Sequence, residues 1–237
     1  MSSVLTVNIA HPRTNPDTLK KPTGIDKRPT DASVEVRAPG PMRGGLGSGL
    51  VGDLVSEQKH HGGDDQAVYA YAREDLDAWE SELDRQIGNG AFGENLTTAG
   101  IDVTNAVIGE RWRVGDGGLV LEVTRPRTPC RTFAAWLEIE GWMKTFTNRA
   151  VPGAYLRVIT PGVVRAADSV EILDRPDHDV TIALVFRAMM KDPGLLASLL
   201  VADALPEPLK DKARRRAAAQ RTGGSSAAIS PEIRSAR

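Results

Sequence analysis

The chain has 237 residues, of which 41% are hydrophobic and 26% are charged. This balance is ordinary for a soluble globular protein and excludes a mostly disordered chain. The apolar runs are far shorter than the ~20 residues that span a bilayer, and Met1–Val4 begins no secretory signal, so we expect no membrane association. Cys130 is the single cysteine, which excludes an intrachain disulfide framework and predicts a cytoplasmic protein in a reducing compartment.

The net charge of −1 is unevenly distributed along the chain. Residues 1–210 carry 23 basic and 29 acidic side chains, whereas the residues from Asp211 onward carry seven basic and two acidic ones. A protein that binds the nucleic-acid backbone needs a basic face, so the acidic body predicts no specific nucleic-acid partner. The basic C-terminal stretch is expected to be a solvated helix end followed by a flexible tail over residues 218–237.

Short strands broken by turns dominate most of the chain. Residues 64–83 are predicted to form one or two amphipathic helices, because apolar side chains such as Val68, Tyr71 and Leu76 recur at spacings of three to five. Residues 88–100 are expected to form a loop, and residues 137–147 a short helix or loop. In chain order, strands are predicted at residues 4–10, 34–36, 107–114, 119–123, 155–159, 163–164 and 170–173. Many strands with few helices predict a mainly β fold with some α, as a barrel or sandwich rather than a βαβ sheet.

The pattern changes after Asp174. Short apolar helices are predicted at residues 181–190, 195–202 and from 205 to about 219. Three such helices are too small to be stable alone, so they should pack on the β-rich part. We therefore expect a β domain over residues 1–174, a three-helix module over residues 175–217 and the tail over residues 218–237.

Several segments carry residues of chemical interest. Gly47–Gly52 has the letters G-x-G-x-x-G of dinucleotide-binding loops, but no strand precedes it and no helical pattern follows, which excludes a nucleotide site. His60 and His61 are adjacent, and no further His or Cys stands at a zinc-like spacing, which argues against a zinc site. His61 is either a functional group in a pocket or a structural hydrogen-bonding residue. Glu94 is a candidate general base and Asn95 a candidate ligand contact, the alternative being a turn held by the Asn side chain.

The segment Arg125–Arg131 carries the strongest chemical signal. Pro126 and Pro129 stiffen the backbone and so hold the Cys130 side chain in a fixed place. Three arginines flank the thiol, and nearby positive charge lowers a cysteine pKa and raises the thiolate fraction. A thiolate is both a nucleophile and a soft ligand for transition metals. A lone cysteine is more often a small buried hydrophobe, but this setting favours a functional one.

Seven segments, taken together in chain order, resemble the MOSC-domain proteins, and within them the YiiM-like branch. The segments are Gly24–Pro29, Gly49–Asp53, His61–Gly63, Tyr71 with Trp79, Phe92–Leu96, Pro126–Cys130 and Gly153–Val158. The C-terminal helices resemble the three-helix module that follows the MOSC domain in this branch. The sequence departs from the pattern at Asp26, where an aromatic residue is common, and at Thr23 and Thr30, where valine is common.

The resemblance implies a MOSC-type β-barrel with short surface helices and a bound molybdenum cofactor (molybdopterin). By position, Cys130 would be the molybdenum ligand. The implied catalytic residues are Cys130, His61 and Glu94, with His61 or Glu94 as the group that delivers a proton. The residues implied to hold the cofactor are Lys27, Arg28, His61, Asn95, Arg127, Thr128 and Cys130. MOSC domains are also generically associated with pyridoxal phosphate binding.

The YiiM-like branch is associated with the reduction of N-hydroxylated compounds, such as N-hydroxylated purine bases, to amines, a detoxifying reaction. This resemblance implies a small N-hydroxylated substrate and a separate electron-donating reductase, since the sequence shows no flavin or nicotinamide signature. Two other functions stay open. One is a non-redox carrier of the cofactor or of sulfur on Cys130, and the other is a hydrolase that uses Cys130 with His61. A homodimer is an open alternative for the oligomeric state.

Overall fold

The computed structural model describes residues 1–224 of the chain. Within this range the chain forms twelve strands and five α-helices, with two 3-10 helices at Asp64–Gln66 and Pro193–Val201. The strands are β1 (Ser3–Ala10), β2 (Arg13–Thr14), β3 (Pro22–Thr23), β4 (Lys27–Thr30), β5 (Val34–Val36), β6 (Val68–Ala72), β7 (Leu96–Ala99), β8 (Arg111–Val114), β9 (Leu119–Pro126), β10 (Ala154–Thr160), β11 (Gly162–Val164) and β12 (Val170–Asp174). The α-helices are α1 (Arg73–Leu83), α2 (Arg131–Leu137), α3 (Trp142–Arg149), α4 (Ile182–Met190) and α5 (Glu207–Gly224).

Eight strands form one large sheet in the order β12–β8–β9–β10–β6–β7–β1–β4. Its neighbouring strands are antiparallel except for β6 and β7, which are parallel. The mainly β fold with surface helices is confirmed, but the sheet is not closed into the predicted barrel. A single bridge, Ser3 to Ser169, links β1 to the chain just before β12. Backbone hydrogen bonds from Val4 to Asp168 and from Ala167 to Val4 lie beside this bridge.

The most informative departure from the sequence prediction lies at residues 68–72. We expected this segment to be part of an amphipathic helix, but it is strand β6, between β10 and β7 near the middle of the sheet. All five of its side chains are buried. A strand that is covered on both faces has no polar alternation, so its apolar residues matched the helical spacing by chance. Helix α1 begins directly afterwards at Arg73.

Two further strands of the large sheet, β4 and β7, were also missed. No strand was predicted at β4, and a loop was predicted over residues 88–100. Both strands carry buried polar side chains, at Lys27 and at Thr97 and Thr98. Buried polar residues hide the alternation of apolar side chains by which a strand is recognised.

The C-terminal helices pack on the sheet through a shared apolar core. Helix α4 begins at its N-cap Thr181, whose hydroxyl accepts the backbone N–H of Leu184. Val185 of α4 and Ala213 of α5 belong to the same buried cluster as the sheet residues. The boundaries at residues 174 and 217 stay predictions. The predicted tail begins inside α5, and its part beyond residue 224 lies outside the described residues.

A second, aromatic core fixes the segments that carry the candidate site. Phe92, in the loop before β7, lies 5.1 Å from Phe133 of α2 and 5.6 Å from Trp142 of α3 between ring centroids. Trp79 of α1 lies 4.8 Å from Trp142. These contacts hold α1, α2 and α3 together and position the junction between β9 and α2. In the described part of the chain, no helix has both the length and the apolar character needed to cross a membrane.

Candidate functional site

A cavity of about 450 Å³ opens beside the start of α2. Its wall is formed by the hairpin β2–β3, the start of β4, the glycine-rich loop before β6 and the junction between β9 and α2. The polar and charged side chains of the wall include Asn15, Asp17, Lys27, Ser48, Asp53, His61, Asn95, Arg127, Cys130, Arg131 and Tyr155. The aromatic and sheet elements described above therefore bring side chains from residues 15 to 155 to one place.

Cys130 stands at the end of the stiff segment that follows β9 and is the N-cap residue of α2. Burial of the thiol opposes its ionisation, but favourable contributions outweigh burial and lower the pKa of Cys130 to about 7, and three of these contributions are the largest. They are a hydrogen bond from the His61 side chain, the positive charge of Arg127 and the backbone N–H of Phe133. The thiol is therefore about half ionised at neutral pH, which gives the soft, nucleophilic thiolate.

Arg127 lies deep in the wall, with its guanidinium packed between aromatic rings. The guanidinium carbon is 3.9 Å from the centroid of Phe133 and 5.2 Å from that of Tyr69, within the range of cation–π contacts. One N–H donates to the backbone carbonyl of Phe92. Burial acts against the charged form, but the neighbouring Tyr69, Tyr155 and Cys130 more than compensate and raise the pKa of Arg127. The cavity thus has a permanent positive charge beside the thiol.

A buried carboxylate, Asp53, organises the opposite part of the wall. Its two oxygens lie 2.5 and 2.6 Å from the Lys27 ammonium, and both side chains are almost fully buried, at 1% and 7% exposed. Asp53 also accepts hydrogen bonds from Ser48 at 2.7 Å, from Asn95 at 2.9 Å and from the backbone N–H of Ala10 at 2.9 Å. Burial disfavours its charge, but Lys27, Ser48 and Asn95 overcome that effect and lower the pKa of Asp53. The network fixes Lys27 and Asn95 and neutralises most of the charge of Lys27.

Five of the residues predicted from sequence come together at this cavity: Lys27, His61, Asn95, Arg127 and Cys130. Arg28, Glu94 and Thr128 are not part of its wall. The Arg28 side chain is 58% exposed and pairs with Asp26 at 2.9 Å. Its position on β4 directs it to the opposite face from Lys27, because successive residues of a strand alternate between faces.

Glu94 holds the neighbouring loop instead of facing the cavity. Its fully buried carboxylate accepts the backbone N–H groups of Gly90 at 2.5 Å and Phe92 at 3.0 Å, and the hydroxyl of Thr97 at 2.9 Å. Burial raises the pKa of Glu94 despite these bonds. Since Arg127 donates to the carbonyl of Phe92, Glu94 supports the site from behind by fixing this loop.

Sequence reasoning missed several wall residues, among them Ser48, Asp53 and Tyr155. Asp53 and Tyr155 stand inside segments that carried the family resemblance, and that position was a usable signal for both. Ser48 lies in the segment Gly47–Gly52, whose nucleotide interpretation was rejected. The structure shows why the segment is nevertheless near the site: Ser48 bonds to Asp53.

The side chains of the cavity fit a metal that is carried by an organic cofactor better than a metal bound only by protein side chains. Within residues 1–224, no group of three or more His, Cys, Asp or Glu side chains is placed to hold a metal ion. A metal bound only by protein side chains, such as a structural zinc, needs about four such ligands. A single ionisable thiol in an open cavity instead suits a metal whose other ligands come from an organic cofactor.

Comparisons with known proteins agree with the geometry. The MOSC domain model matches residues 57–171. YflK of Bacillus subtilis strain 168 is 31% identical over 198 residues, covering 83% of this chain and 85% of YflK. YiiM of Escherichia coli strain K12 is 35% identical over 137 residues, covering 56% of this chain and 60% of YiiM. A protein named Reductase from Gibberella moniliformis is 30% identical over 132 residues, covering 54% of this chain and 23% of that protein.

The fold has a matching crystal structure. YiiM from Geobacillus stearothermophilus superimposes with a TM-score of 0.72 at 23% identity, over 91% of this chain and 99% of that one. The likeness at this identity concerns the fold, whereas the match to YflK extends over most of both sequences. The domain match, the relatives and the fold all agree with the resemblance of the seven segments. The chain belongs to the MOSC-domain family, in the YiiM-like branch.

Proposed function

We propose that the protein is a molybdenum-cofactor-dependent reductase that converts N-hydroxylated compounds, such as N-hydroxylated nucleobases, to amines. The observation that carries the proposal is the Cys130 thiol, with its pKa of about 7, in the wall of a 450 Å³ cavity beside His61 and Arg127. MOSC domains are associated with the molybdenum cofactor, and one relative of this chain is named a reductase.

The residues present fit the cofactor. A thiolate is a suitable soft ligand for molybdenum, and the pKa of Cys130, about 7, makes a large fraction of the thiol available as thiolate at neutral pH. Arg127 supplies a buried positive charge for an anionic group, while Lys27 and Asn95 line the cavity in positions fixed by Asp53. Cys130, Arg127, Lys27 and Asn95 would hold the cofactor, together with His61. When bound, the cofactor supplies two-electron reducing chemistry that the protein side chains lack.

We also propose that the electrons come from a separate reductase. The segment that resembles a dinucleotide loop, Gly47–Gly52, contributes Ser48 to the Asp53 network and is not followed by a helix. Because this segment serves the Asp53 network, it does not act as a nucleotide-binding loop. We therefore propose that electrons from the separate reductase enter through the cavity.

A second candidate function is a non-redox carrier that holds sulfur on Cys130. The same low pKa supports it, since a thiolate is also the nucleophile that accepts sulfur. The hydrolase alternative has less support. In the part of the chain that the structure describes, the His61 side chain contacts the thiol but bonds to no carboxylate or amide that would orient it as a general base.

The proposal is tested by expressing the wild type, Cys130→Ser and Arg28→Ala in a host that makes the molybdenum cofactor. Plasma mass spectrometry gives molybdenum per chain, and reduced methyl viologen with 6-hydroxylaminopurine gives activity. We expect near-stoichiometric molybdenum and adenine formation in the wild type, and loss of both in Cys130→Ser. Arg28→Ala is the matched control, because it removes a predicted cofactor residue that lies outside the cavity wall.

Wild-type protein without molybdenum under these conditions would overturn the reductase proposal. A mass increase of one sulfur atom on Cys130 in that protein would then favour the carrier.

A further inference from the structure

The hydroxyl of Tyr155 is placed differently from those of the other two tyrosines. Tyr71 donates to the backbone carbonyl of Val151 at 2.7 Å, and Tyr69 donates to that of Pro152 at 2.8 Å. Tyr155 lies in the cavity wall, and its hydroxyl bonds to no other group among residues 1–224. Tyrosine hydroxyls at buried or half-buried positions normally have a partner. The Tyr155 hydroxyl is therefore available to a molecule that enters the cavity.

The ring of Tyr155 is held in place by its neighbours. It packs against Tyr69 with 5.0 Å between ring centroids, and Tyr69 is itself anchored through Pro152 and packed against Arg127. The hydroxyl lies close enough to Arg127 and Cys130 for both charges to affect it. Burial raises the pKa of Tyr155 although Arg127 acts in the opposite direction, so the group keeps its proton at neutral pH.

Three of the other proton donors at or near the site interact with protein groups. His61 bonds to the thiol of Cys130, and the Lys27 ammonium is bound by both oxygens of Asp53. Glu94 is committed to the loop behind the cavity. Of the groups near the thiol, Tyr155 has a polar hydrogen that no protein acceptor uses in the described part of the chain.

We propose that the Tyr155 hydroxyl donates the proton to the oxygen that leaves the N-hydroxylated substrate. This inference rests on the reductase function proposed above. The overall change is R–NH–OH + 2 e⁻ + 2 H⁺ → R–NH₂ + H₂O, with both electrons from the external donor. The N–O bond breaks, the oxygen takes one proton from Tyr155 and leaves as water, and the nitrogen takes the second proton from solvent.

The catalytic cycle closes within the same surroundings. The phenolate left on Tyr155 is stabilised by the positive charge of Arg127 and takes up a proton from water in the open cavity. Arg127 therefore serves the reaction twice, by favouring the thiolate of Cys130 and by stabilising the transient phenolate.

The test compares Tyr155→Phe with Tyr71→Phe, each of which removes one phenolic hydroxyl. Both variants are loaded with cofactor and assayed with reduced methyl viologen and 6-hydroxylaminopurine. Tyr155→Phe should lower kcat by at least about 100-fold, the range of general acid catalysis, with molybdenum content and Tm unchanged. Tyr71→Phe removes a hydroxyl that is bonded to Trp79 and Val151 outside the cavity wall, so it should lower Tm and leave kcat unchanged.

Binding gives a second readout that does not depend on turnover. Calorimetry on loaded protein without electron donor compares 6-hydroxylaminopurine with adenine, which lacks the hydroxyl oxygen. Tyr155→Phe should weaken binding of 6-hydroxylaminopurine about fivefold, the size of one lost hydrogen bond, and leave adenine binding unchanged.

Three outcomes would overturn the inference. One is a kcat within twofold of wild type in Tyr155→Phe, a second is equal weakening of both ligands, and a third is loss of molybdenum together with activity. In each of these cases an active wild type would leave the reductase function standing. A loaded wild type that reduces no N-hydroxylated compound would instead overturn the proposed function and this inference together.

Discussion

His61 is predicted to control the reactivity of Cys130, and its replacement by Gln tests this. The pKa of Cys130 is about 7, against an ordinary value of 9.0, although burial of the thiol acts in the opposite direction. A thiol with the ordinary pKa is only about 1% ionised at pH 7, whereas Cys130 is about half ionised. The hydrogen bond from His61 is the largest favourable contribution. If His61→Gln abolishes half of the depression, the thiolate fraction at pH 7 falls from about one half to about one tenth.

The assay is the rate of alkylation by iodoacetamide between pH 5 and 10, on cofactor-free protein. Cys130 is the single cysteine, so the rate reports one thiol. The wild-type rate should rise with a midpoint near pH 7 and then level off, because the thiolate is the reactive form. His61→Gln should move the midpoint upward and react about fivefold more slowly at pH 7.

Arg131→Gln is the matched control for this prediction. Arg131 is next to Cys130 in sequence, but its side chain is 83% exposed and pairs with Asp17 at 2.9 Å. It is not among the largest contributions to the pKa of the thiol, so its loss should move the midpoint much less than His61→Gln does. A wild-type midpoint near 9, or equal midpoints in the wild type and His61→Gln, would refute the reasoning.

Three further predictions concern groups that support the site. Asp53→Ala leaves the buried ammonium of Lys27 unpaired, and we expect unfolding to become easier by about 3–5 kcal/mol in urea titration; a loss under 1 kcal/mol would contradict the network. Glu94→Gln can accept fewer of the three hydrogen bonds that hold its loop, so Tm should fall while kcat per folded molecule is kept, and a large fall in kcat at unchanged Tm would instead make Glu94 catalytic. Burial raises the pKa of Asp75 to about 6, so its native carboxyl prefers the protonated form and stability should fall as pH rises from about 4 to 6. The pKa shift of Asp75 can change the stability by at most about 3 kcal/mol, and by less because solvent screens the charge. Asp75→Asn should remove this pH dependence, measured as Tm at pH 4 and pH 8, and parallel Tm curves for both proteins would count against it.

The sequence by itself was sufficient where the signal is local. Strand β1 and helix α4 follow from the local pattern of apolar residues, which predicted a strand at residues 4–10 and a helix at residues 181–190. Cys130 could also be identified from the sequence alone, because a lone cysteine between arginines and prolines is a local feature.

The tertiary structure decided which charged residues act on the thiol. The sequence offered three arginines around Cys130, yet Arg127 lies inside against Phe133 while Arg131 points to solvent. Lys27 and Arg28 are adjacent on β4, but strand alternation sends Lys27 to Asp53 in the cavity and Arg28 to the exposed face. Residues that are close in sequence thus have different roles, because the path of the backbone sets where each side chain points. That path depends on pairing between strands that are far apart in sequence.

The same reason explains what was missed in the site and in the fold. Asp53 became visible as a site residue because β1, β4 and the loop before β7 bring Ala10, Lys27 and Asn95 to its carboxylate. Strand β6 looked helical because burial on both faces removes the alternation that marks a strand. The residues around Cys130 indicated the thiol, and the resemblance of seven segments indicated the family. Pairing between distant strands determined the cavity, since hydrogen bonds and charges between residues far apart in sequence leave no periodic trace in it.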